Sequence, residues 1–78
     1  AASMKNLEFE FKFAQRLAEL MKESGLTQRL LELETGIPNQ TISAYLSGKR
    51  SPSAITLGKL AKYFDVSADY LIGISDYY

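Results

Sequence analysis

The sequence of 78 residues contains no cysteine and no histidine, only two prolines, and no long apolar run. Without cysteine there is no disulfide framework, and without both residue types only carboxylates remain as metal ligands, which excludes the usual zinc sites. Runs of a few apolar residues are far shorter than the roughly 18 needed to span a bilayer, and no basic-then-apolar signal opens the chain. We therefore expect a protein of the reducing cytoplasm with no membrane contact, no cofactor and no evident small-molecule ligand.

The missing residue types also weigh against an enzyme. Catalysis needs a positioned base, nucleophile or metal, and the remaining carboxylates and hydroxyls form no catalytic motif. The chain does contain 46% hydrophobic and 23% charged residues, which is the composition of a globular domain. A chain of this length has room for one domain, which buries only about 60% of its unfolded surface.

Charge is balanced overall but unevenly distributed along the chain. The formal net charge is zero, whereas nucleic-acid-binding domains are often strongly basic. Residues 35–64, however, contain Lys49, Arg50, Lys59 and Lys62 and no acidic residue, so the rest of the chain is correspondingly acidic. On charge alone, a basic surface for a polyanion and an ordinary solvated face explain this pattern equally well.

Local end signals divide the chain into five helices. Glycine follows each of four segments of helical period and predicts a left-handed end there. These glycines are Gly25, Gly36, Gly48 and Gly73, and the hydroxyls placed to cap the second, fourth and fifth helices are Thr27, Ser53 and Ser67. The second helix is expected to end near Thr35, and after Pro38 the third runs from about Asn39 to Ser47. Short connections between these segments predict a compact all-α domain.

The first helix is predicted by apolar residues at i, i+4, i+7 and i+8, which are Phe13, Leu17, Leu20 and Met21. The preceding segment 9–13 alternates like a strand, yet it also pairs Phe9 with Phe13 at helical spacing. A lone strand would have no partner, so we predict that the helix begins within this segment. We expect a cloning remnant at 1–3, an arm and the start of the first helix at 4–12, a helix-turn-helix domain at 13–73, and a C-terminal extension at 74–78.

The third helix has two chemically different faces. Ile42, Tyr45 and Leu46 recur at i, i+3 and i+4 and are predicted to point inward. The outward residues are small and uncharged, namely Asn39, Gln40, Ser43, Ala44 and Ser47. A solvated helix normally prefers Glu and Lys, whereas amides and hydroxyls suit hydrogen bonds to base edges in the major groove. Lys49 and Arg50 follow directly, where they could meet phosphates. The alternative is an inert polar face.

A longer pattern of motifs surrounds this helix. It consists of Thr27-Gln28, Thr35-Gly36-Ile37, Thr41-Ile42-Ser43, the segment 47–53, Leu57, Leu60-Ala61 and the segment 66–73. This pattern, which covers residues 13–73 without a gap, resembles the XRE family of Cro and lambda-repressor type helix-turn-helix proteins. The resemblance implies a lambda-repressor-like fold whose second and third helices form the helix-turn-helix, in a bacterial or phage-encoded transcriptional regulator, most simply a repressor.

Carried over position by position, the resemblance implies two groups of DNA contacts. Base-facing residues would be Asn39, Gln40 and Ala44. Contacts to the DNA backbone would come from Thr27, Gln28, Thr41, Ser43, Ser47, Lys49 and Arg50. A single short helix reads few base pairs, so we expect a homodimer on a near-palindromic double-stranded operator. The candidate dimer surface is aromatic and apolar, and consists of Tyr70, Ile72, Ile74, Tyr77 and Tyr78. For Tyr70, together with Leu71, the alternative is that it completes the core.

The chain departs from the family pattern at three places. Glu32 stands where the family usually has a small residue, at the crossing of the two helices, and a carboxylate there needs a partner or access to water. Leu30 and Leu33 replace usually polar residues. The second helix then exposes apolar surface, or the arm with Phe9 and Phe11 covers it, or both leucines pack within the domain, and we expect the last of these. Met21 and Leu46 replace an Arg and a Glu that many relatives pair, so we predict an apolar contact between them.

One alternative function uses the same fold. The zero net charge, and leucines exposed on the second helix, would also fit a protein-interaction module, antitoxin-like or regulator-binding, with weak or no DNA binding. Gln28, the uncharged outer face of the third helix and the Lys49-Arg50 pair favour DNA binding, because a protein-binding bundle requires none of them.

Overall fold

The computed structural model describes residues 8–78, which contain five helices and no strand. The helices are α1 (Phe13–Ser24), α2 (Gln28–Thr35), α3 (Asn39–Leu46), α4 (Ala54–Phe64) and α5 (Ala68–Ile72). The predicted all-α, five-helix architecture is confirmed. Helix α3 ends one residue earlier than predicted, because Ser47 already occupies its C-cap position. Within the described residues, no helix is both long enough and apolar enough to cross a bilayer.

Three helices begin at the capping residues that the sequence predicts. In each case the hydroxyl accepts a hydrogen bond from the backbone N–H three residues later. The pairs are Thr27 with Leu30 at 3.1 Å, Ser53 with Thr56 at 3.2 Å, and Ser67 with Tyr70 at 3.0 Å. Each such cap stabilises a helix by about 1 kcal/mol, which matters for helices of eight and five residues.

Helix α4 ends at a residue that the sequence analysis did not identify. Asp65 adopts a left-handed conformation with φ of 57°, the one positive φ outside glycine in residues 8–78. Aspartate tolerates this region better than most side chains, and here it takes the role that Gly25 and Gly36 play after α1 and α2.

The prediction that helix begins before residue 13 is wrong for the described part of the arm. Residues 8–12 are not helical, and α1 begins at Phe13. The backbone N–H of Lys12 donates instead to the carbonyl of Ile72, at 3.1 Å, so a tertiary contact with α5 replaces the helical pairing. Gly73, with φ of 101°, lets the arm pass closely, since a Cβ there would lie 2.5 Å from the carbonyl oxygen of Glu10. Residues 4–7 of the predicted arm lie outside the described residues.

The core is formed by one apolar residue set drawn from all five helices. Its fully buried members are Phe13, Leu17, Leu31, Ile42, Leu60 and Leu71. Helix α3 packs against both α1 and α2, and the Phe13 and Tyr45 rings meet edge to face with centroids 5.3 Å apart. The predicted inward faces of α1 and α3 are therefore confirmed, with Leu46 half-buried against this core.

A buried arginine, which the sequence analysis did not identify, holds the C-terminal segment to α1. Arg16 is 7% exposed, and its guanidinium donates to the carbonyls of Tyr70, at 3.3 Å, and Ser75, at 3.2 Å. It also pairs with the carboxylate of Asp76 at 3.1 Å and lies 4.1 Å from the centre of the Tyr70 ring. Residues 74–78 are thus bound to the domain without helical structure of their own.

Candidate nucleic-acid interface

Helix α3 presents the polar face that the sequence predicts. Asn39, Gln40 and Ser43 are exposed, whereas Thr41 and Ala44 are half-buried along its edges. The eight residues of α3 extend about 12 Å at about 1.5 Å per residue, which is close to the major-groove width of about 12 Å. The outer face therefore combines amide, hydroxyl and methyl groups on a helix of suitable length.

The start of α2 offers a second group of polar atoms. Gln28 is the first residue of the helix and is half-buried, and Thr27 caps it. The Thr27 hydroxyl accepts the N–H of Leu30, which leaves its own hydrogen available for an external acceptor. Free N–H groups and the positive end of the helix dipole also make a helix start favourable for an anion.

The turn after α3 fixes the backbone of two basic residues. The backbone N–H groups of Lys49 and Arg50 donate to the carbonyl of Ala44, at 3.0 and 3.3 Å, with Gly48 left-handed before them at φ of 78°. Both side chains are exposed, and neither forms an ion pair with a carboxylate in residues 8–78. The Ser47 hydroxyl donates to the same carbonyl at 3.1 Å, so its hydrogen is already used within α3.

Aromatic side chains face this turn across a small cavity. A small cavity of about 170 Å³ separates it from the arm and α1, and its lining includes Phe11, Phe13, Tyr45 and Arg50. The rings of Phe11 and Phe13 stack with centroids 6.1 Å apart. The arm therefore lies beside the turn that carries the two cations.

The three departures from the family pattern have different outcomes. The expectation that Leu30 and Leu33 pack inside is wrong, because they are 45% and 68% exposed. Glu32 is half-buried, so the residue is not fully enclosed at the helix crossing. Met21 belongs to the core and Leu46 packs against that core, while a direct contact between the two remains a prediction.

A groove between α2 and α4 was not anticipated from the sequence. It has a volume of about 470 Å³ and is lined by Glu34, Thr35, Gly58, Lys59, Lys62 and Tyr63. The Tyr63 hydroxyl donates to the Glu34 carboxylate at 3.1 Å. Partial burial, together with the hydrogen bond and the negative charge of Glu34, raises the pKa of Tyr63. The signal in the sequence was Gly58, the one glycine with no position at a helix end.

Comparison with known proteins places the chain among bacterial regulators. A helix-turn-helix family model matches residues 17–71. The chain is 34% identical over 64 residues to the uncharacterized HTH-type transcriptional regulator YobD of Bacillus subtilis, covering 82% of this chain and 57% of YobD. It is 39% identical over 59 residues to the uncharacterized HTH-type transcriptional regulator y4dJ of Sinorhizobium fredii, covering 76% of this chain and 77% of that protein. The chain thus spans little more than half the length of YobD.

Two solved structures share the fold. A transcriptional regulator from Listeria innocua superposes with a TM-score of 0.76 at 33% identity, covering 82% of this chain and 60% of that one. The restriction-modification controller protein C.AhdI from Aeromonas hydrophila gives a TM-score of 0.71 at 32% identity, covering 80% of this chain and 94% of that one.

Proposed function

The chain belongs to the XRE-type helix-turn-helix family of transcriptional regulators, and on this premise we propose that it is a sequence-specific, double-stranded DNA-binding repressor of the bacterial cytoplasm, without catalytic activity. Residues 13–73 form the binding domain and α3 enters the major groove. The observation that carries the proposal is the uncharged polar face of α3, followed directly by two exposed cations that have no ion-pair partner in the described chain.

Base readout is assigned to three residues on α3. The amides of Asn39 and Gln40 can each bond adenine bidentately, at N6 and N7, and the Ala44 methyl can contact a thymine methyl. All three lie on one side of a helix whose other side is held by Ile42 and Tyr45 in the core. The buried side fixes the helix, and with it the backbone positions from which the two amides extend.

Contacts to the DNA backbone are assigned to the start of α2, to α3 and to the turn after α3. The side chains that we propose for this role are Thr27, Gln28, Thr41, Ser43, Ser47, Lys49 and Arg50. Lys49 and Arg50 supply charge, while Thr27 and Gln28 stand where N–H groups at the start of α2 also favour a phosphate. Ser47 makes the weakest candidate, since it must break its bond to Ala44 before it can donate to a phosphate.

We further propose a homodimer on a near-palindromic operator, with half-sites about 34 Å apart. The C-terminal segment exposes Ile74, Tyr77 and Tyr78, which are 62%, 84% and 62% accessible. Tyr70 leaves the predicted surface because it is buried in the core. Sedimentation should show two chains bound to each symmetric duplex. A single chain per duplex, with a monomer in the absence of DNA, would refute the dimer.

The test of DNA binding compares specific and random duplexes after selection of a preferred site. Gln40→Ala should weaken binding to the preferred site by about 1 to 3 kcal/mol and binding to random DNA little. Lys49→Ala should weaken binding to every sequence and reduce the salt slope by about 1. Gln15→Ala and Lys22→Ala, which remove an exposed amide and an exposed cation from α1, serve as matched controls with unchanged binding.

The exposed side chains of Leu30 and Leu33 favour the alternative, a protein-interaction module with the same fold. If Gln40→Ala weakens specific and random binding equally and Lys49→Ala alters neither, α3 does not lie in the groove. The protein-interaction module then becomes the better assignment.

A further inference from the structure

Gly58 lies in the interior of α4, where nothing in the fold requires a glycine. Glycine is disfavoured in a helix interior, because it loses more backbone freedom than alanine. Its φ lies outside the left-handed region, and a Cβ built on it meets nothing within 4 Å. Neither backbone conformation nor packing inside the described chain therefore requires glycine here. A helix tolerates such a glycine at a cost of about 1 kcal/mol relative to alanine, and at this exposed position the missing side chain leaves the backbone accessible to another molecule.

The space that Gly58 leaves open is the groove between α2 and α4. Its volume of about 470 Å³ lies within the range of binding sites, about 300 to 1,000 Å³. Tyr63 forms one wall, and its ring is held by an edge-to-face contact with Phe64 at 5.0 Å and by its hydrogen bond to Glu34. Two contacts therefore hold the Tyr63 wall of the groove in place.

The charges of the groove indicate the chemistry of an occupant. Lys59 and Lys62 are exposed, lie one turn apart, and have no ion-pair partner among the residues that the structure describes. Glu34 stands on the opposite wall, where a phosphate chain passing along the groove would be repelled. A polypeptide can place carboxylates at the lysines, an apolar side chain on Tyr63 and a hydrogen-bond donor at Glu34.

We propose that this groove binds an acidic segment of a partner protein, which seats its backbone on Gly58. The inference goes beyond DNA binding and does not depend on it. The groove residues are separate from those assigned to DNA, so a regulator bound to its operator could hold such a segment at the same time.

The test selects random 16-residue peptides, displayed on phage, against the whole chain. Selected peptides should be enriched in Asp and Glu. Two variants should each lower the affinity of the chain for these peptides at least tenfold: Gly58→Leu, and the double variant Lys59→Glu with Lys62→Glu. Ala54→Leu adds the same side chain at an exposed position of α4 outside the groove and should leave affinity unchanged. Gly58→Leu should unfold at a temperature no lower than the parent and keep its DNA affinity.

Three outcomes overturn the proposal. The first is that no peptide binds, or that the selected peptides are not enriched in acidic residues. The second is that peptide binding is insensitive both to Gly58→Leu and to the double lysine variant. If the leucine variant does not fold, the double lysine variant alone tests the groove. The third is that random duplex DNA shifts the amide resonances of Gly58 and Thr35 and loses affinity with the lysine variant, which would assign the groove to DNA.

Discussion

Replacing Arg16 by methionine tests how the C-terminal segment is held. Methionine keeps an unbranched stem in the core and removes the guanidinium, which leaves the carbonyls of Tyr70 and Ser75 without their donor. A hydrogen bond to a charged group contributes about 1.5 to 3 kcal/mol, and the contact with the Tyr70 ring adds about 0.5 to 2. The pair with Asp76 contributes at most about 1 kcal/mol, because that carboxylate is 80% exposed.

Relief of guanidinium desolvation offsets part of this loss, so we expect Arg16→Met to destabilise the domain by about 2 to 4 kcal/mol. For a domain of 60 to 100 residues, about 4 to 8 °C corresponds to 1 kcal/mol, so the midpoint of thermal unfolding should fall by about 10 °C or more. Asp76→Asn is the matched control and should lower it by only a few degrees. Should both variants unfold at the same temperature, the carbonyl contacts contribute nothing and the reasoning fails.

Three further substitutions test other parts of the structure. Leu46→Glu should destabilise strongly, as judged by urea unfolding, because it places a carboxylate against the apolar core without an arginine to pair with it, and an unchanged midpoint would contradict the predicted contact with Met21. Gly73→Ala should cost about 2 kcal/mol or more, since its φ is left-handed and its Cβ would meet backbone, and amide shifts of residues 10–12 should report the displaced arm. Tyr63 should titrate above its ordinary value of 10.0 in an NMR pH series, and Glu34→Gln should bring its pKa back down. Because the raised pKa favours the neutral phenol, this contribution to stability is complete below about pH 10 and is lost as pH rises through the folded pKa.

The features predicted correctly from the sequence are those set by local chemistry. Thr27, Ser53 and Ser67 cap helices because a hydroxyl beside a helix start satisfies free N–H groups wherever it occurs. The polar and buried faces of α3 follow in the same way from helical periodicity. Such features depend on neighbours within a few residues, so their outcome could be read without knowing the fold.

The features that were missed depend on residues far apart in the chain. Segment 8–12 has helical spacing, but its backbone bonds to α5, a partner that no local pattern reveals. Arg16 reads as a surface residue, because the acceptors that permit its burial come from residues 70–76. Leu33 was expected inside on hydrophobicity alone, whereas its position on α2 faces solvent. The DNA contacts of α3 remain predictions, since exposure alone does not identify what a polar face binds.

Two contacts join the start of the domain to its end, namely the hydrogen bond of Lys12 to Ile72 and the ion pair of Arg16 with Asp76. They also limit when during synthesis the domain can finish folding. Arg16 and Asp76 are 60 residues apart in sequence, so these contacts close most of the chain into one loop. During synthesis, α1 to α4 leave the ribosome before α5 can meet α1. In a nascent chain that lacks residues 70–76, Arg16 has none of the hydrogen-bond acceptors that pair with it in the folded domain. Completion of the domain, and with it the contact that holds the arm beside the turn with the two cations, therefore requires residues 70–76 to have been synthesised.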